Sequence, residues 1–319
     1  MRSPSERVYP SRVLESWLRQ LENPDDPQLR GLSLFLRLIP LQLATEYVCA
    51  ALASWASLDA TRFVEGAAPR AYGFDVPLQA FLGVLATLAV LLVPLQLHPR
   101  TARVGRWAAL ALAVSLCVAT FPRCGNHLYL VVIVLTLCVQ LEFSGPDARD
   151  LLARSLRWIL VVVFFYSGLQ KLAHGFYLDG QMLAFLGNRT GFAELVSMLV
   201  PADEATRIAG LSRVAGGGPF SSTAPLLVAA SNLTYVGEMF LPLLLLLPKT
   251  RRFAIPATFA LILAIELFAR EVFFGLWFTG LLLLYARPPT YRRAFVVVVA
   301  LDVAMLLVRV GALPEVHFK

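Results

Sequence analysis

Apolar residues run nearly unbroken for about twenty positions at a time, and short clusters rich in Arg, Lys, Asp and Pro separate the runs. A helix crossing the hydrocarbon layer takes roughly 17–25 mostly apolar residues. Nine runs approach that length: 32–55, 77–97, 104–121, 126–143, 152–172, 223–248, 253–269, 271–286 and 294–312. The seventh and eighth are short and meet at FAREVFF, as a tight hairpin or one broken helix, so the count is nine or eight. The pattern predicts an all-α, polytopic integral membrane helical bundle.

The charges orient that bundle. Basic residues gather on cytoplasmic loops. Arg2, Arg7, Arg12, Arg19 and Arg30 precede the first run. Arg100/Arg103/Arg106, Arg149/Arg154/Arg157, Lys249/Arg251/Arg252 and Arg287/Arg292/Arg293 follow the second, fourth, sixth and eighth. The alternate loops are leaner, with Arg62 and Arg70, then Arg123, then a long segment with three Arg, then Arg270. A cytoplasmic N-terminus, a C-terminus on the other side and a bacterial inner membrane are therefore expected. Residues 1–30 form a cytoplasmic segment with no apolar core of a cleaved signal, and an amphipathic helix is expected over 10–22. Residues 31–312 form the transmembrane domain and 313–319 a short tail. Within the domain, 173–222 is a non-cytoplasmic insertion expected to hold one or two amphipathic interfacial helices. AGGGPF at 215–220 reads as a flexible link.

Composition narrows the function classes. The chain is 58% hydrophobic and 15% charged, with a net charge of +7, whereas soluble domains carry about 25% charged residues. Its basic residues sit between apolar runs rather than among stacking aromatics, which argues against nucleic acid. Cys49, Cys117, Cys124 and Cys138 form no C-x-x-C pair, so neither a thiol-redox motif nor a metal site is expected. Without an inverted repeat or paired broken helices, transport is the weaker reading.

Charged groups inside spans each cost about 2.5–3.5 kcal/mol on insertion scales, so each asks for a reason. They are Arg37, Glu46, Glu142, Lys171, Glu238, Glu266, Arg270, Glu271, Asp302 and Arg309. Helix-end snorkelling or packing ion pairs account for Glu142, Arg309 and Arg37. They account less well for Glu46, Glu238 and Glu266, which lie farther from span ends. The predicted topology puts Asn126, His127, Gln170, Lys171, Glu266, Arg270 and Glu271 in the non-cytoplasmic half. A partly desolvated amine there is a candidate general base, and His127 a hydrogen-bond donor or proton shuttle. Snorkelling remains the plainer account of a lysine at a helix end.

Two blocks carry a resemblance. NHLYLVVIVLTLCVQLEFSG (126–145), followed by VVVFFYSGLQKLAHGFYLDGQML (161–183), resembles the membrane domain of vitamin K-dependent gamma-carboxylases. That domain also occurs in the HTTM (horizontally transferred transmembrane) group. Asn126-His127 matches an Asn-His pair, while Gly168, Lys171, Leu172, Tyr177 and Gly180 match a Gly-x-x-Lys-Leu block and the aromatic and Gly after it. YVGEMFLPLLLLLPKTRR (235–252) is similar to a later Glu-containing helix. The resemblance implies Lys171 as the base that deprotonates a reduced, vitamin K-type quinone and His127 as the stabiliser of charge. Asn126, Gln170, Glu238, Glu266, Arg270 and Glu271 are supporting polar groups. O2 and CO2 would be co-substrates, with no metal. An exported peptide would be the molecule modified, and the lipid bilayer and a lipophilic quinone the other partners. The chain departs from the carboxylase pattern at Ala173-His174, where an acidic residue is usual, and at Leu261, where a histidine is usual. A second function stays open: a non-catalytic membrane protein for maturation, immunity or assembly of an exported peptide.

Overall fold

The computed structural model describes residues 30–60, 71, 76–121, 126–175, 177–187, 196–211, 220–269, 272–286 and 290–309. Eleven helices form among them: α1 Arg30–Ala60, α2 Leu78–Leu97, α3 Ala102–Ala119, α4 Asn126–Leu141, α5 Pro146–His174 and α6 Gln181–Gly187. They continue with α7 Ala202–Gly210, α8 Pro225–Leu246, α9 Arg251–Ala269, α10 Val272–Leu282 and α11 Thr290–Arg309. Each of the nine apolar runs coincides with a helix. Five helical stretches are long and apolar enough to cross a membrane: Gly31–Leu52, Leu78–Leu97, Ala102–Ala119, Pro146–His174 and Pro225–Leu246. The chain is thus all-helical with the make-up of a multi-pass membrane protein. The helix expected over 10–22 lies outside the described residues.

Two compact units divide the chain within α5: Met1–Ser155 with Ala286–Val303, and Leu156–Tyr285 with Ala304–Lys319. In the first unit α1 packs on α2, α2 on α3 and α3 on α4. Leu34, Phe35, Leu38 and Ile39 of α1 are wholly buried. On α2, by contrast, Val84, Leu88, Leu91 and Leu95 are exposed at helical spacing. A continuous apolar stripe turned outward is what lipid, not water, solvates.

A buried guanidinium ties this unit together. Arg106 is 2% exposed. Its Nε donates to Glu142 Oε2 at 3.0 Å, its Nη1 to Gln96 Oε1 at 2.6 Å, and its Nη2 to the Leu36 carbonyl. The approach of α3 to α2 needs Gly105, since a Cβ there would stand 2.8 Å from Gln96 Cγ and 3.0 Å from its backbone N. Arg106 is therefore not the solvated loop charge that its place among the orienting residues suggested. Glu142 is the Arg's partner, the packing ion pair of the two accounts given for it.

In the second unit α8 packs on α9, α9 on α10, and short α6 touches α7, α8 and α9. α9 and α10 form a hairpin, which settles the alternative left open at FAREVFF. The guanidinium of Arg251, the first residue of α9, lies 5.8 Å from the centroid of the Tyr285 ring just beyond α10. The chain has therefore returned to where α9 began. From Gly275 to Leu282 α10 is buried, Leu276, Trp277, Phe278, Leu281 and Leu282 included, and Phe278 meets Phe164 of α5 edge-on at 4.7 Å.

The described part of the insertion after α5 holds the two short helices α6 and α7, packed about an apolar core. Leu183, Ala184, Val196, Val200, Ile208, Phe220, Ala224 and Leu227 form its core. Phe220, at the end of the expected link, is part of that core and stands edge-on to Phe185 at 5.3 Å; the preceding glycines lie outside the described residues. Glu204 and Arg207 of α7 form a two-pronged pair, with Nε donating at 2.6 Å and Nη2 at 2.7 Å, and Ser222 Oγ donates to the same carboxylate at 2.7 Å. These hydrogen bonds hold Glu204 down to about 2. An ordinary glutamate titrates near pH 4.3, to the nearest few tenths. The stabilisation is therefore present above roughly pH 4.3 and lost as pH falls toward 2. The pair is largely solvated, so the effect is small. Pepsin cleavage within 196–224, measured against an unstructured reference peptide, should rise across that window, and Arg207→Gln should abolish the pH dependence.

Candidate functional site

The end of α5 is built for close contact and then a sharp reversal. Gly168 lets α5 cross α8 backbone to backbone: a Cβ there would sit 2.6 Å from Met239 Cγ, 2.7 Å from the Tyr235 carbonyl and 3.0 Å from Met239 N. Lys171, one turn on, thereby reaches α8. Its Nζ is paired with Glu238 Oε1 and lies 3.1 Å from Ser167 Oγ, four residues back on the same face. Glu238 is 2% exposed and Lys171 20%, so the lysine is the member of the pair that meets the surroundings.

The chain then turns over that amine. Gly175 has φ +74°, a conformation L side chains rarely adopt, and its N–H bonds the carbonyls of Lys171 and Leu172. Tyr177 comes back so that its ring centroid lies 5.4 Å from Lys171 Nζ. Gly180, at φ +73°, releases the chain into α6. The returning segment is fastened at two points: Asn232 Nδ2 donates to the Leu178 carbonyl at 3.1 Å, and Ser222 N to the Asp179 carbonyl at 3.0 Å. Asn232 also receives Tyr235 OH at 2.8 Å.

The arrangement can hold a proton between an amine and a buried carboxylate, with one face open and an aromatic ring beside it. In the membrane interior such a pair is neutral overall, which removes most of the cost of either charge alone. Comparison with family models, curated proteins and solved structures finds no match. The local chemistry therefore carries the functional reading.

His127 belongs to the first unit. Its Nε2 stands 3.3 Å from Glu46 Oε1, with the carboxylate 3% exposed. Lys171 and His127 thus each face a glutamate on another helix, in separate units. Gln170 is exposed. The side chains of Asn126, Glu266, Arg270 and Glu271 lie outside the described residues. Sequence reasoning named Lys171 and Glu238 without joining them, and it missed Ser167, which the i, i−4 spacing from Lys171 on one helix face would have found.

Proposed function

We propose that the chain is a membrane enzyme of the carboxylase-like HTTM type with eight or nine passes, N-terminus cytoplasmic, with Lys171 as its proton-accepting group. The observation that carries this reading is the Lys171–Glu238 pair under Tyr177. The surroundings suit a lipophilic ring bearing a weakly acidic hydroxyl: Tyr177 beside the amine and exposed Leu169 and Leu172 on the same helix end. A reduced quinone, if held there, would supply with O2 the strong base needed to remove a proton from carbon.

The residues divide the work. Lys171 takes the incoming proton after passing its own to Glu238, so the carboxylate is the final acceptor and the pair stays neutral. Ser167 holds the amine toward Glu238. His127, paired with Glu46 in the first unit, is the charge-stabilising group that the resemblance implies.

With vitamin K hydroquinone as probe, Lys171→Ala should lower epoxide formation by about 10²–10⁴-fold, and Glu238→Gln should have a similar effect. Full turnover in Lys171→Ala and His127→Ala would sink the proposal. The second reading, a non-catalytic partner for an exported peptide, draws on the apolar core that Leu183, Val196, Ile208 and Phe220 form after α5. It predicts no turnover in the wild type, and loss of peptide capture when the exposed Met198 is replaced by Asp.

A further inference from the structure

A proline inside a helix lacks the N–H that would bond the carbonyl four residues back, and its ring crowds that carbonyl. α8 has such a proline, Pro242, and the carbonyl it cannot serve is that of Glu238. Pro225, at the start of the same helix, disturbs no such bond. Glu238 and Pro242 are both buried, one turn apart and so on one face of α8, while Phe240, Leu243 and Leu244 on its other faces are exposed. The turn just before is the one that α5 presses, where Gly168 lies against the Tyr235 carbonyl and Met239 N. The turn that lacks its bond therefore begins where the two helices cross and where Lys171 meets its carboxylate.

The first unit shows what becomes of such a carbonyl in this chain. Pro40, inside α1, cannot serve the Leu36 carbonyl, and that carbonyl accepts Arg106 Nη2 from α3. In hydrocarbon no water replaces a lost helical bond, so the backbone turns to a donor from elsewhere in the protein. In each unit, then, a helical proline stands one turn beyond a residue that meets a paired cation: Leu36 with Arg106, and Glu238 with Lys171.

We propose that Pro242 is a positioning residue for the proton-transfer pair. By withholding an N–H from the Glu238 carbonyl it loosens that turn of α8 and lets the Glu238 carboxylate lean across to Lys171. The proposal rests on the proton-transfer reading of Lys171 and Glu238.

Pro242→Ala restores the N–H and tests this. The unfolding midpoint should rise, because alanine completes the helix. Turnover of vitamin K hydroquinone should nevertheless fall about 10–10²-fold in kcat with KM little changed, the usual effect of misplacing a reacting group. Placing lactic acid, the oxygen analogue of alanine, at 242 removes the N–H again without the ring and should restore kcat. Pro256→Ala, at an exposed proline inside α9, should raise the midpoint and leave turnover unchanged. A lower midpoint in Pro242→Ala would make the proline a structural need and overturn the proposal, as would a kcat that lactic acid leaves low. Full turnover in Pro242→Ala, where Lys171→Ala has lost it, would also overturn it and leave the proton-transfer reading standing. Should the wild type turn nothing over, that reading fails, and a double-mutant cycle decides the role of the proline. The coupling of Lys171→Met with Glu238→Gln, read from unfolding midpoints, should shrink in Pro242→Ala; an unchanged coupling would overturn the proposal.

Discussion

Arg106→Met lowers the unfolding midpoint more than any other single change considered, because it strands three acceptors at once. Glu142, Gln96 and the Leu36 carbonyl all lose their donor inside the first unit. Removing one member of a buried ion pair costs about 3–5 kcal/mol, since the remaining charge stays desolvated and alone. The double variant Arg106→Met with Glu142→Leu should recover much of that loss, because replacing both partners by apolar groups is often close to neutral. A thiol-reactive fluorophore reads the outcome directly: Cys49 and Cys138 are buried, and Glu142 N bonds the Cys138 carbonyl. Labelling should begin at a lower temperature in the single variant. Equal midpoints for the wild type and Arg106→Met would mean that the hub contributes nothing to stability.

Gly168→Ala is the second large effect. Met239 could swing its side chain away from a new Cβ, but the Tyr235 carbonyl and Met239 N belong to the α8 backbone and cannot. α8 must retreat, at a cost of about 1–3 kcal/mol for an overpacked contact. The retreat separates Glu238 from Lys171, so proton-transfer activity should fall even where the protein still folds. Gly83 on α2 is the natural control: a Cβ there meets nothing within 4 Å. Gly83→Ala should be neutral, or stabilising by about 0.5–1 kcal/mol through helix propensity. If both alanines have the same effect, the close crossing is not what matters.

These two sites show what the sequence could and could not yield. Run length alone placed helices at all nine apolar stretches. It could not give their azimuths: a helix such as α10, VFFGLWFTGLL, is apolar on every side and carries no stripe to orient it. Pairings between distant helices depend on those azimuths, so Lys171 and Glu238, 67 positions apart, stayed separate names. Arg106 was misread for a related reason. Beside Arg100 and Arg103 it looks like one more topology signal, and only Gly105, one residue before it, hints that α3 presses close enough to enclose a side chain. Gly168 was legible as part of a motif, whereas its reason, a backbone crossing, was not.

The enclosure of α10 has a consequence for how the chain is made. An eleven-residue helix buried from Gly275 to its end gains little from lipid as it is inserted. It covers only about 16 Å at 1.5 Å per residue. Its resting place is defined by Phe164 of α5, by α9 and by the hydrogen bond from Arg157 Nε to the Leu284 carbonyl in the turn after it. All of these precede it or its turn in the order of synthesis. The partners that hold α10 are therefore all made before it, and a chain stalled after α9 should leave its place among them empty.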